Sequence, residues 1–120
     1  DVLLKKETKN LISTAFELCE KEFDYIDLGG GCDLPLYQED IAHPIKKGFF
    51  HLKIPRSRTT AAYMINPKAA SILVKNIFPI SIHLDWKYQY IFIKENFKVS
   101  WTVPSAFLHG SESVFHSAIR

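Results

Sequence analysis

An α/β domain, built as a mixed sheet with flanking helices, is the fold class this sequence predicts. Residues 5–23 repeat apolar side chains at helical spacing and residues 23–28 alternate at strand spacing. Residues 58–86 then hold a strand-like run, a capped helix and an isolated acid in succession. Strand-like and helix-like stretches that alternate in this way, with irregular insertions between them, pack as layers against a sheet. With 120 residues and 47% hydrophobic content, the chain makes a single domain, or part of a larger one, able to bury a core.

In the first stretch Leu11, Ile12, Ala15, Phe16, Leu18, Cys19 and Phe23 form one stripe, with Lys9, Glu17, Glu20 and Lys21 outside it, which predicts an amphipathic helix. FDYIDL at 23–28 sets apolar residues against acids, as a strand with one buried face does. Gly29, Gly30 and Gly31 follow, where the backbone turns or approaches something closely. The spacing is neither that of a dinucleotide loop nor that of a P-loop with its lysine. Residues 32–47 contain Pro35 and Pro44 and no sustained period, predicting a long loop of the kind that serves as a lid or acceptor contact. GFFHLKI at 48–54 suits a strand closed by Pro55, and its Phe49 and Phe50 read as core, or else as a sugar-stacking surface.

Residues 59–65 predict a buried strand. Asn66 then supplies an N-cap, and Pro67 takes the first helical position, where its missing N–H would have had no partner anyway. Ala69, Ala70, Ile72, Leu73 and Ile77 keep helical spacing, Lys68 and Lys75 face water, and Pro79 ends the helix. Trp86, Tyr90, Ile91 and Ile93, mixed with polar residues, predict a further helix despite a β-prone composition. Residues 97–103 alternate like a strand that stops at Pro104, and the tail beyond is rich in serine and glycine and predicts irregular structure. Ligands of such sheets gather beyond the carboxyl ends of the strands, where both the glycine run and the tail lie.

A net charge of +2, from 15 basic and 13 acidic residues, gives no electrostatic case for nucleic acid. The local basic stretch of Lys46, Lys47, Lys53, Arg56 and Arg58 reads as a solvated loop face or as a contact for phosphate groups. Cys19 and Cys32 are too few and too separated for a disulfide scaffold or a zinc site, so reduced thiols in a cytoplasmic protein are the simplest expectation. No stretch approaches the roughly 18 to 20 apolar residues that span a bilayer, and DVLLKKETKN lacks the apolar core of a signal peptide.

Four stretches together resemble the C-terminal portion of a family 25 glycosyltransferase, the group of lipopolysaccharide-type and procollagen galactosyltransferase-like enzymes. DVLL is similar to the end of the family's Glu-Asp-Asp segment, with Asp1 as its last acid, and FDYIDLGG to its aspartate, apolar pair, leucine and glycine. TTAAYMINPKAASILV resembles its tyrosine-containing strand and alanine-rich helix. PISIHLDW and then VSWTVPSAFLHGSESVFHSAI resemble its proline, isolated aspartate, second proline segment and closing serine-isoleucine pair, with His109 where relatives usually carry glutamine.

The resemblance implies the C-terminal half of a GT-A-like domain over residues 1–120, a UDP-sugar donor and a glycan or protein hydroxyl acceptor. Transfer leaves a diphosphate, and Mn²⁺ or Mg²⁺ would neutralise it, with Asp1 and His109 as implied metal ligands. Inversion at the sugar takes one carboxylate as general base. Asp85 is the candidate, with a helix cap as the competing reading. Gly29, Gly30, Asp33, Arg58 and Ser111 are candidate substrate contacts, with Arg56 beside Arg58 as a partner for diphosphate. Trp86 and Trp101 read as core packing or as sugar-stacking rings. Most of the donor site would lie upstream, so these residues alone are expected to be inactive. Two other readings fit the same residues: a noncatalytic carbohydrate-binding or interaction module, and a small phosphate-binding protein using the glycine turn and the basic stretch.

Overall fold

The computed structural model describes residues 2–4, 7–33, 35–46, 48–56, 58 and 60–109, without the side chains of residues 2–4, 32, 33, 43–46, 108 and 109. In chain order the elements are β1 (Val2–Leu4), α1 (Thr8–Lys21), β2 (Tyr25–Asp27), a single turn α2 (Gly30–Asp33), β3 (Ile41–Lys46), β4 (Phe49–Leu52), β5 (Tyr63–Ile65), α3 (Pro67–Asn76), α4 (Leu84–Lys94), β6 (Val99–Thr102) and β7 (Phe107–His109). Five strands form one mixed sheet in the order β3-β4-β6-β2-β5, in which only β2 and β6 run parallel. β1 and β7 form a separate antiparallel pair.

Helices cover both faces of the sheet. On one, Tyr25, Val99 and Trp101 pack with Leu73 of α3 and Ile91 and Phe92 of α4; on the other, Ile26 and Phe49 pack with Ala15 and Cys19 of α1. The α1 stripe supplies Ala15, Cys19 and Phe23 to the core, while Phe16, expected there, is 62% exposed. Cys19 is the small core residue the sequence suggests, and burial, aided by the charge of Asp24, pushes its thiol up to about 11.

The start of α3 follows its local chemistry. Asn66 Oδ1 accepts the Ala69 N–H at 2.8 Å, and its Nδ2 donates to the Phe23 carbonyl at 3.1 Å, tying the cap to the entry of β2. Asp24 locks the same corner, because its Oδ2 accepts the Lys98 N–H at 2.8 Å and so holds the chain before β2 against the chain before β6.

Three expectations are corrected. Residues 32–47 are not one long loop, since they contain α2, a 3₁₀ turn at Gln38–Asp40 and all of β3. Pro44 sits opposite Phe50 on the sheet's outer strand, between two register shifts, a position where a missing ladder donor is tolerated. The tail is not wholly irregular, because Phe107–His109 pairs with Val2–Leu4 across nearly the full sequence. Finally, β2 is buried on both faces: Asp27, which alternation placed toward water, is 1% exposed between β5 and β6.

Candidate active-site cleft

Asp27 ends the central strand, in register with Trp101 of β6 and Tyr63 of β5. Its Oδ1 accepts the Gly29 N–H at 2.8 Å, while its buried Oδ2 has no hydrogen-bond partner among the described residues. Burial pushes the carboxyl up to about 7, against the opposing pull of the backbone amides of Gly29, Gly31, Gly30 and Arg58. The glycine turn makes this enclosure possible. Gly30 and Gly31 have φ of +56° and +64°, and a Cβ on the first would strike the Thr102 carbonyl while one on the second would strike the Trp101 ring. Thr102 Oγ1 then donates to the Leu28 carbonyl at 3.0 Å, closing the turn onto β6.

Next to this strand end lies a cleft of about 740 Å³, within the size range of small-ligand sites. Trp101 lines it from the sheet, Asp85, Trp86, Gln89, Tyr90 and Ile93 from α4, and Tyr37, Asp40, Arg56 and Arg58 from the segments after α2 and β4. Trp101 is fixed: it is 1% exposed and its Nε1 donates to the Arg56 carbonyl at 3.1 Å. The Arg56 guanidinium lies 4.9 Å above that indole and pairs with Asp40 at 3.2 Å. Its Nε is buried and has no partner among the described residues.

Asp85 stands in the first turn of α4, where the N-cap position belongs to His83. Its Oδ1 accepts the Trp86 N–H at 2.9 Å. A carboxylate offers about four lone-pair sites, so acceptor capacity remains. Trp86 is 67% exposed, which corrects the core reading of that residue, while Trp101 keeps its core role.

The structure therefore brings Asp85 and Arg58 to one cleft and leaves Gly29 and Gly30 out of its lining. Both glycines are buried beneath the strand end and shape the backbone there. Asp33 belongs to α2 through its backbone, and its side chain lies outside the described residues, as do Asp1 and Ser111 altogether. His109 is described only by its backbone, which β-pairing sets opposite Val2, the residue after Asp1. Val2 and His109, 107 residues apart in sequence, thus meet at one end of the β1–β7 ladder. Among the described residues no group of three or more His, Cys, Asp and Glu side chains is arranged for a metal ion.

Reading the sequence alone passed over Asp27, Tyr37, Asp40, Gln89 and Tyr90. The signal for α4 was available in part: Asp85, Trp86, Gln89 and Tyr90 recur at the three- and four-residue intervals that share a helix face. Nothing local marks Tyr37 or Asp40, which reach the cleft through tertiary contacts. Among the described residues no helix is long and apolar enough to cross a membrane. No family model matches the chain, and neither a curated protein nor a solved structure matches it.

Proposed function

We propose that the chain is the C-terminal portion of a metal-assisted, GT-A-like glycosyltransferase that moves a sugar from UDP to a hydroxyl acceptor, with the configuration at the sugar inverted. The observation that carries this reading is the meeting of Asp85, Arg58 and Arg56 around one cleft of about 740 Å³, beside the carboxyl ends of two parallel strands. Such a cleft supplies a carboxylate base, two guanidinium groups for diphosphate, and aromatic rings for a sugar face.

In the proposed reaction the Asp85 carboxylate takes the acceptor's hydroxyl proton as the acceptor oxygen bonds to the sugar's anomeric carbon. The bond from that carbon to the diphosphate oxygen breaks, and UDP leaves with the electron pair. Arg58 and Arg56, which both line the cleft, hold the phosphate oxygens on which charge grows. Trp101, locked by its bond to the Arg56 carbonyl, keeps that guanidinium in place. A bound Mn²⁺ or Mg²⁺ would supply Lewis-acid neutralisation of the leaving diphosphate. For that ion, Asp1 would offer the hard carboxylate ligand these cations take, and His109, whose backbone pairs with Val2, an imidazole.

The test is UDP release from a panel of UDP-sugars, with a saccharide acceptor and Mn²⁺, by a protein that carries this chain together with its upstream half. Metal-dependent release and an inverted product are expected. A retained anomeric configuration would remove the single-base scheme. Binding of inorganic phosphate without metal and without UDP release would favour the phosphate-binding reading.

A further inference from the structure

We propose that the acceptor is a saccharide, and that Trp86 and Tyr90 of α4 form the platform on which its ring stacks. The fate of the bound hydroxyl rests on the transferase reading; the platform itself does not.

Trp86 and Tyr90 are 67% and 62% exposed, and each leaves a large apolar ring surface in water. They lie one turn apart on α4, so their rings share a helix face. Asp85 and Gln89 are also one turn apart, and all four side chains line the same cleft. The helix therefore offers two aromatic rings beside a carboxylate and a carboxamide, a combination of flat apolar surface and planar hydrogen-bonding groups. A pyranose has the matching chemistry, with C–H groups on its ring faces and hydroxyls around its rim.

Other occupants fit less well. A lipid chain or an apolar protein helix would strip water from Asp85 and Gln89 without replacing their hydrogen bonds. A nucleic acid would want an extended basic surface, whereas the cleft sets Arg56 and Arg58 against Asp40 and Asp85 and the chain's net charge is only +2. Trp101 shows what a structural indole in this protein looks like: buried, with its Nε1 donating to a carbonyl. Trp86 has neither feature of that kind, since it is mostly exposed and its indole N–H makes no hydrogen bond among the described residues. Because Asp85 lines the same cleft as Trp86 and Tyr90, a ring seated on the platform shares that cleft with the carboxylate.

The experiment is a titration of the chain with lactose, N-acetyllactosamine, maltose and methyl galactoside, followed by tryptophan fluorescence and by the indole N–H signals in NMR. Saturable binding that moves the Trp86 indole signal is expected with at least one of these probes. Trp86→Ala and Tyr90→Ala should each weaken it about tenfold, the upper range for one aromatic contact, with Trp86→Phe retaining most of the affinity. Both side chains are exposed, so the variants should melt with the wild type, and a melting scan checks this. Absence of binding by every probe, or binding indifferent to Trp86→Ala and Tyr90→Ala, overturns the proposal. So does a concentration-dependent dimer in sedimentation that Trp86→Ala dissolves, since the platform would then belong to a second copy. Platform-dependent saccharide binding with no sugar transfer by the protein carrying this chain would keep the subsite and remove the transferase reading.

Discussion

At the scale of single residues the dominant effect is the enclosure of Asp27. One backbone N–H reaches Oδ1 at 2.8 Å, yet desolvation prevails and the carboxyl holds its proton up to about pH 7. In the unfolded chain the same group releases its proton near the ordinary aspartate value of 3.8. Between those values the folded state binds more protons than the unfolded state, so stability falls as pH rises through the window and the fall is complete above about 7. The contribution amounts to roughly 4 kcal/mol at about 1.4 kcal/mol per pKa unit. Asp27→Asn should therefore flatten the decline in melting temperature between about pH 4 and 7, and parallel profiles for variant and wild type would contradict this account. A second residue-scale prediction concerns Gly31. With φ of +64° and the Trp101 ring against it, Gly31→Ala should cost roughly 3 kcal/mol, combining left-handed backbone strain with overpacking, measured by urea unfolding.

Elements differ in how much of their origin is local, and this decided what could be read from sequence. α3 was legible because Asn66 and Pro67 specify its start within the segment itself, and the Oδ1 bond to Ala69 realises that cap. Asn66→Ala should destabilise by about 2 kcal/mol, above a simple cap loss, because it also removes the Nδ2 bonds to Phe23 and Asp24. Calorimetric melting checks this, and a change of only a few tenths would show that the corner contributes nothing beyond the helix end. β3 and β7 were not legible, because their partners lie elsewhere in the chain and Pro44 argues against a strand until its outer position is known. β2 misled for a related reason. Its few residues alternate as a half-buried strand would, but neighbouring strands and helices on both faces bury the polar position too. On α4 the spacing of Asp85, Trp86, Gln89 and Tyr90 was visible, whereas the direction they face was not.

For the molecule as a whole, the mixed sheet with helices on both faces agrees with the α/β class expected from alternation. The same sheet brings Asp85 and Arg58 to a common cleft from different parts of the chain. Their meeting required β6 to lie beside β2, a crossover that no local pattern encodes. The glycine run, by contrast, was rightly marked as a place of close approach, and what approaches it is the protein's own Thr102 and Trp101. The proposed removal of the acceptor's proton by Asp85 is tested most directly by single-turnover sugar transfer with Asp85→Asn in a protein carrying the upstream half, alongside UDP-sugar affinity by calorimetry. The account predicts a rate lower by about 10²- to 10⁴-fold with affinity unchanged; transfer at the wild-type rate would contradict it.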